Sequence, residues 1–444
     1  MSQEKQLVRK TLGNLLGAIG LAFGLALMAV GTVQAVLAWI PRETANLSWS
    51  GEARHVALAV GAAGSRAAAW WVNVSTGERR GDLILAHAGP TGWVTETVTT
   101  TMEARWPSPI FSGTYGLLTW FQGQLYTQPA TAMGGWVWER DDQAQTRRVT
   151  ETLLYTIDGV RPRWRVGNDG LHMTFAAALT STMAGRGDLY YLYRPFTATT
   201  WASTVVVTRD QVVPGAAGGV FYPDIAMGNG VLHLVWEQKS EIGGRISYTI
   251  YYISATLEAG GQVWAAPVSL SLPETNGQRP ATALDGDGRV HVVWTNYITD
   301  TDQYVQYRRL DASGWSPVRV LSEEPLRVNK IRPTVVWPAV AAGGNQVCVA
   351  WHGFYPDALY EAEEIYLRCS RDGGDTWGTM MNVSRSPDRL SLMPAVAIGA
   401  DGAVHIAWEE FQGGGNYFYN YDALYAAGPP EVYPVFLPLV LRSG

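Results

Sequence analysis

Arginines and aromatic residues recur at one sequence position, directly before a proline that opens a short apolar segment. An arginine can hold a carboxylate or a sulfate with two parallel hydrogen bonds, and the flat face of a tryptophan or tyrosine can stack on a sugar ring. In chain order the residues are Arg54 (which no proline follows), Trp106, Arg161, Tyr222, Arg279, Trp337 and Met393. This combination predicts binding of an anionic glycan or a peptide carboxylate.

Histidines and carboxylates offer a second kind of chemistry, but their spacing favours structural roles. Four histidines share one repeated position: His172, His233, His291 and His405. Because no paired spacing of metal ligands occurs, we expect each to bond to a neighbouring turn, and the sequence predicts no metal and no other cofactor. Asp285-Gly-Asp287-Gly is expected to form a tight turn rather than a calcium loop. Glu237 and Glu409-Glu410 are expected to be solvated at strand ends, so no catalytic residue is predicted.

A repeat positions these residues. A proline, an apolar stretch, a glycine turn and a Val-His-Val-x-Trp segment recur, most clearly over residues 280–294. The units end at Trp70, Trp120, Phe175, Trp236, Trp294, Trp351 and Trp408, which lie 50 to 61 residues apart. Each unit has room for four antiparallel strands. The sequence therefore predicts an all-β chain, a single β-propeller of seven four-stranded blades.

The last unit lacks a fourth strand, and the N-terminal part of the chain has a spare one. Asn46-Leu47-Ser48 precedes the first unit as Asn382-Val383-Ser384 precedes the last. We therefore expect residues 44–49 to pair in the blade that holds residues 394–425. Such pairing closes the ring over residues 44–427 and removes exposed sheet edges.

In a closed ring the first strands surround a central channel, and ligands usually bind at one of its mouths. Arg161, Arg279, Trp106 and Trp337 are predicted to line one shared pocket there. The alternative is that the recurring arginines and aromatic residues only fill the channel, with the arginines paired to turn carbonyls or to Asp224.

One turn carries a family resemblance. Its sequence is Ser370-Arg-Asp372-Gly-Gly374-Asp-Thr376-Trp377, which resembles the Asp box, Ser-x-Asp-x-Gly-x-Thr-Trp, of the sialidase-like β-propellers. The repeat extends this resemblance over residues 44–427. The resemblance implies a propeller fold and a structural turn on the outer rim, away from the ligand site. The enzymes of that family have six blades and a Phe/Tyr-Arg-Ile-Pro motif, which this chain lacks, so no catalytic residue is carried over.

The two cysteines, Cys348 and Cys369, fall on the second and third strands of the sixth unit. If Trp351 faces Tyr366, the two cysteines lie directly opposite each other. We therefore predict a cross-strand disulfide, and two buried thiols are the alternative.

The two ends of the chain differ from the repeat. Residues 1–38 have basic residues followed by an uncharged apolar run, which is typical of a helical signal peptide, or of a signal anchor over residues 12–38. Either predicts a secreted or cell-surface protein whose only membrane contact is this segment. Residues 428–444 form a proline-containing tail, which is either an export or attachment signal or a disordered terminus.

Composition excludes one class of function. The net charge is −6 and no run of lysines and arginines occurs, so nucleic acid is not an expected partner. We predict an extracytoplasmic binding or interaction module for acidic glycans or peptides. A glycan-processing enzyme, either a sialidase-like hydrolase or a lyase, and a purely structural surface protein are the alternatives.

Overall fold

The computed structural model describes the following residues: 35–39, 41–48, 53–61, 64–73, 81–89, 91–99, 104–112, 115–125, 133–141, 143–156, 160–179, 187–202, 205–207, 219–242, 244–258, 261–272, 275–299, 302–323, 325–326, 336–353, 362–413, 420–430 and 432–436. By contact density the chain divides into two units, Ile40–Pro430 and a smaller one formed by Met1–Trp39 with Glu431–Gly444.

The larger unit consists of seven antiparallel sheets in chain order, each of four or five strands. The first three blades contain the following strands: β3 Ala53–Val60, β4 Arg66–Asn73, β5 Gly81–Gly89 and β6 Gly92–Thr99 in blade 1; β7 Ala104–Ser112, β8 Tyr115–Leu125, β9 Met133–Arg140, β10 Thr146–Arg148 and β11 Leu154–Thr156 in blade 2; β12 Arg163–Val166, β13 Gly170–Ala177, β14 Asp188–Pro195 and β15 Val205–Val206 in blade 3.

The other four blades follow the same order of strands. They contain β16 Val220–Gly228, β17 Val231–Ile242, β18 Arg245–Glu258, β19 Gly261–Trp264 and β20 Val268–Ser269 in blade 4; β21 Gly277–Leu284, β22 Val290–Thr299, β23 Asp302–Asp311, β24 Gly314–Trp315 and β25 Arg319–Val320 in blade 5; β26 Ala339–Gly343, β27 Gln346–Gly353, β28 Glu364–Ser370 and β29 Met381–Asn382 in blade 6; β30 Ser391–Ile398, β31 Val404–Phe411, β32 Tyr421–Gly428 and β2 Glu43–Asn46 in blade 7.

The ring closes through the N-terminal strand. Strand β2 pairs antiparallel with β32, and the Asn46 side-chain amide donates to Asp422 Oδ2 at 2.6 Å. The first strand of each blade contacts the first strands of its neighbours, and β30 contacts β3. The seven-bladed propeller and its closure by an N-terminal strand, both expected from the sequence, are therefore confirmed.

The hydrophobic core lies between successive blades. Aromatic residues that end the repeats on the second strands are its largest members, and Trp70, Trp236, Trp294 and Trp351 are almost completely buried. Trp351 of blade 6 belongs to the same cluster as Val293 of blade 5. Each blade therefore buries one face against the next, which is how a single repeat gains a core that it cannot form alone.

In the smaller unit, strand β1, Ala35–Trp39, pairs antiparallel with β33, Val432–Phe436. The sequence predicts a signal or anchor helix that reaches residue 38. Residues 35–38 are part of a strand, so for them the prediction is wrong. Their backbone groups are paired with the C-terminal tail rather than within a helix. Residues 1–34 lie outside the described part of the chain. Among the described residues, no helix is both long and apolar enough to cross a membrane.

Candidate functional site

The recurring position before the proline is a β-bulge. In five blades the pairing between first and second strands shifts at this point, and two residues stand opposite one. The first bulge residue has a positive φ of 48° to 55° at His55, Trp106, Tyr222, Arg279 and Met393. Such a backbone costs about 1 kcal/mol or more for a residue other than glycine. The same strained backbone therefore recurs around this end of the channel in five blades.

At this mouth the Arg161 guanidinium lies between two indole rings. Its Cζ is 3.2 Å from the centre of the Trp106 ring and 3.7 Å from that of Trp337. Arg161 and Trp106 are each only 8% exposed. Because the arginine is desolvated between the rings, each cation–π contact can contribute up to about 2 kcal/mol. Arg161 therefore helps to close the mouth.

A second arginine joins the same stack. The Cζ of Arg279 lies 3.5 Å from the centre of the Tyr222 ring and 4.5 Å from that of Trp337, and the two rings meet edge to face. The structure thus brings together five of the six residues predicted to bind a ligand: Trp106, Arg161, Tyr222, Arg279 and Trp337. These five residues form a packed cluster. Together with His55 and Met393 we call them the mouth cluster.

In blade 1 the equivalent position is His55 rather than Arg54. His55 stacks on Trp106 with ring centres 3.6 Å apart, and Val56 takes the place of the proline. The Arg54 side chain lies elsewhere: its Nη1 is 3.1 Å from Glu409 Oε2, and its Cζ lies over the Tyr421 ring. Because no proline marks the bulge in blade 1, the sequence predicted Arg54 for this position, one residue before His55.

Buried acceptors hold the strained bulges. Glu237 Oε2 accepts the Arg279 backbone N–H at 2.9 Å, and Glu409 Oε1 accepts that of His55 at 3.0 Å. Both glutamates are almost completely buried, so the expectation of solvated carboxylates is wrong. Burial raises the pKa of Glu237 to about 8, although the Arg279 N–H and the Arg161 charge oppose the rise. Each glutamate belongs to the blade before the bulge that it caps, and so links successive blades.

Two further arginines face the channel below the mouth cluster. Arg163 and Arg165 alternate with Trp164 on β12, so they lie on the same face of the strand as Arg161. Arg163 Nε and Arg165 Nη2 are each 3.9 Å from Asp224 Oδ1. Desolvation lowers the pKa of Arg165; Asp224 opposes this and Arg163 adds to it. Sequence reasoning missed both residues, although the alternation Arg-Pro-Arg-Trp-Arg is visible.

A cavity of about 190 Å³ lies in the channel, bounded by the mouth cluster and by residues that follow on the first strands, including Arg163, Arg165 and Asp224. The side chains of Arg163 and Arg165 are 40% and 37% exposed, whereas Arg161 is 8% exposed. Arg163 and Arg165 are therefore the more accessible arginines of the channel cavity.

The repeated histidines each pair with a tyrosine on the third strand. His233 Nδ1 lies 2.8 Å from the Tyr252 hydroxyl, and His172, His291 and His405 make the same contact. His291 Nε2 also lies 3.1 Å from Asp285 Oδ2 in the adjacent turn. Burial lowers the pKa of His233 to about 4. These histidines connect strands and turns, and the described residues contain no group of three or more candidate metal ligands.

The turn of residues 370–377 is held by its own side chains and by the preceding blade. Asp372 Oδ1 accepts the Thr376 N–H at 2.8 Å, and the Ser370 hydroxyl accepts the Gly374 N–H. Desolvation would raise the pKa of Asp372, but the bonds from Thr376 and Ser370 lower it to about 2. Trp377 packs edge to face on Tyr307 of blade 5. The turn thus joins two blades.

The two cysteines lie directly opposite each other on β27 and β28, in register with Trp351 opposite Tyr366. A disulfide joins Cys348 to Cys369, with Cα atoms 4.1 Å apart. The bond connects two strands of blade 6.

No known family model matches the sequence, and no curated protein sequence matches it. Solved structures are similar to it in fold. An ulvan lyase of polysaccharide lyase family PL25 shares 11% identity, with 92% of this chain and 96% of that chain covered and a TM-score of 0.49. A protein of unknown function from Dyadobacter fermentans shares 9% identity over 87% and 98%, with a TM-score of 0.49.

The NanB sialidase from Streptococcus pneumoniae shares 7% identity over 88% of this chain and 70% of its own, with a TM-score of 0.46. The fold, read from the order of its sheets, is a seven-bladed β-propeller. At such low identity and TM-score the likeness transfers neither activity nor ligand to this chain, because unrelated functions share this fold.

Proposed function

We propose that this propeller is an extracytoplasmic binding module that takes an acidic group of a glycan or peptide into its central channel. One observation carries the proposal: Arg161, Arg163 and Arg165 of blade 3 border the channel cavity, and among the described residues that line this cavity Asp224 alone carries a carboxylate. An anion between Arg163 and Arg165 would relieve their mutual repulsion. Arginine is well suited to such recognition because its planar guanidinium can form two parallel hydrogen bonds.

The size of the cavity indicates which part of a ligand enters it. Its volume of about 190 Å³ is smaller than the roughly 300–1,000 Å³ of typical small-ligand pockets. A carboxylate or a sulfate group fits this space, and the remainder of the ligand would lie outside the channel. The mouth cluster forms the closed end of this site, and Arg161 belongs to both.

The proposed location rests on two features. The basic and apolar segment within residues 1–38 is typical of a signal peptide or anchor. The disulfide between Cys348 and Cys369 is of a kind that persists mainly outside the cytoplasm.

The test is to titrate the purified chain with carboxylated and sulfated oligosaccharides and with acidic peptides, using uncharged counterparts as controls. We expect Arg163→Gln/Arg165→Gln to weaken binding of the acidic ligands by about tenfold or more. Arg245→Gln is the control for loss of an arginine, because Arg245 is exposed on a hairpin of blade 4 and its replacement removes one positive charge outside the channel.

Equal affinity of the double variant and the parent for every acidic ligand would overturn the channel assignment. The same ligands are assayed for bond cleavage. Turnover by the parent would replace the binding module with a glycan-processing enzyme.

A further inference from the structure

A larger cavity lies between blades 3 and 4. It is bounded by the hairpin between β12 and β13, the hairpin between β16 and β17, and the adjoining ends of β18 and β19. Its volume is about 650 Å³, against about 190 Å³ for the channel cavity. This size is within the usual range for a pocket that holds a small molecule. We call it the blade 3–4 groove.

The equivalent space between blades 5 and 6 is filled by Arg289. Its Nε donates to Asp285 Oδ2 at 2.6 Å, and its Nη2 donates to Asn345 of blade 6 at 2.7 Å. A Cβ on Gly373 would come within 2.3 Å of this guanidinium. Counting back from the repeated histidine, the residue of blade 3 that corresponds to Arg289 is Gly170. A Cβ at Gly170 would lie 2.3 Å from the Arg194 carbonyl oxygen and 2.8 Å from the Tyr193 ring, so no side chain at this position crosses to blade 4 as Arg289 crosses to blade 6.

The polar residues of the groove both donate and accept hydrogen bonds. Three carry amides, two carry carboxylates and one is a phenol: Asn168, Asn229, Gln262, Asp169, Glu258 and Tyr193. Of the described residues that line it, none is lysine or arginine, so an acidic ligand would meet only like charge. The groove thus differs in charge from the channel.

Two of these side chains are held in place by the buried His172. His172 Nε2 lies 3.0 Å from Asp169 Oδ1, and the Tyr193 ring packs against the imidazole with centres 4.9 Å apart. The Tyr193 hydroxyl donates to the Asp169 carbonyl at 3.1 Å. An aromatic ring and a carboxylate are therefore oriented before any ligand arrives, which lowers the entropic cost of binding.

We propose that the blade 3–4 groove binds a neutral saccharide. Sugar hydroxyls donate and accept hydrogen bonds, which matches a mixture of amides and carboxylates, and the apolar face of a sugar ring can stack on Tyr193. A lysine or arginine side chain has only donors, so it would leave the amide N–H groups of the groove unmatched. This site is separate from the proposed anion site in the channel.

The experiment is calorimetric titration of the purified chain with uncharged oligosaccharides of glucose, galactose, mannose and xylose. We expect saturable binding of at least one of them. Glu258→Ala/Gln262→Ala should weaken it by about tenfold or more, because each lost hydrogen bond to a buried ligand contributes about 1 kcal/mol. Tyr193→Ala should weaken it similarly, and Tyr193→Phe should retain most of it because the ring remains.

Two controls separate this proposal from the channel site. Glu241→Ala changes an exposed glutamate on a hairpin of blade 4 outside the groove, and Arg163→Gln/Arg165→Gln changes only the channel; both should bind the neutral saccharide as the parent does. The proposal is overturned if no neutral oligosaccharide binds, if Glu258→Ala/Gln262→Ala binds as tightly as the parent, or if only lysine- or arginine-rich peptides bind the groove.

Discussion

Blade 3 contributes to both the channel cavity and the blade 3–4 groove, but the two have opposite chemistry. At the channel, Arg161, Arg163 and Arg165 concentrate positive charge at the start of the first strand. The groove lies at the other end of this strand. Asp169 of blade 3 and Glu258 of blade 4 make it acidic. One blade thus contributes to both proposed sites. A strand of four to six residues is long enough to keep the two sites apart, one at each of its ends.

The comparison also teaches where a repeat protein places its sites. Residues that recur in several blades, such as the histidine–tyrosine pairs of blades 3, 4, 5 and 7 and the buried tryptophans, hold the ring together. The two sites lie where blades differ: β12 carries arginines where β30 has small apolar residues, and blade 3 has Gly170 where blade 5 has Arg289. Regularity therefore produces the scaffold, and exceptions to it produce the candidate functions.

The largest expected effect tests whether the mouth is a packed structure. Arg161→Ala removes the guanidinium from between Trp106 and Trp337, so we expect the free energy of unfolding to fall by about 2–4 kcal/mol. Urea denaturation measures this, with Arg245→Ala as the exposed control. A fall of less than about 0.5 kcal/mol, the usual size for a surface substitution, would mean that the mouth cluster is not packed as described.

The next effect depends on pH and on Glu237. Because its pKa rises from the ordinary 4.5 to about 8 in the folded protein, the folded state holds a proton that the unfolded state releases between these values. Stability should therefore fall as the pH rises from about 4.5 to about 8. Glu237→Gln retains an oxygen acceptor for the Arg279 N–H and should flatten the melting temperature over this interval. An unchanged slope in the variant would contradict the assignment.

A smaller effect tests why one groove is closed and the other open. Arg289→Ala should lower the free energy of unfolding by about 1 kcal/mol, because Asp285 loses one charged partner and keeps His291. A crystal structure of the variant should show a groove between blades 5 and 6 like that between blades 3 and 4. If neighbouring side chains fill the space instead, Arg289 is not what closes it.

The smallest effect on stability is expected at the accessible arginines of the channel cavity. Arg163→Gln/Arg165→Gln should change the free energy of unfolding by no more than about 0.5 kcal/mol, since both side chains are more than a third exposed. Relative to chloride at equal ionic strength, sulfate should raise the melting temperature of the parent more than that of the double variant, because site binding adds to the general stabilisation that sulfate gives any folded protein. An equal rise in the double variant would place the anion elsewhere.

Much of the fold could be predicted because a repeat reports the same structure several times. The period of the tryptophans indicated seven blades, and the missing last strand indicated closure by the N-terminal one, which β2 confirms. The facing positions of Cys348 and Cys369 also followed from strand register. The exception was blade 1, where Val56 replaces the proline and the mouth residue proved to be His55.

The amino-acid sequence by itself determined which residues recur, and therefore which ones share a depth in the ring and approach the channel. Only the tertiary structure decided how those residues meet, because contacts across the channel join residues more than 50 positions apart, such as Arg161 with Trp106 and Trp337. It also decided that Glu237 and Glu409 are buried, since a strand end that looks solvated in one blade is covered by the bulge of the next. The openness of the groove between blades 3 and 4 follows only from the packing of neighbouring blades.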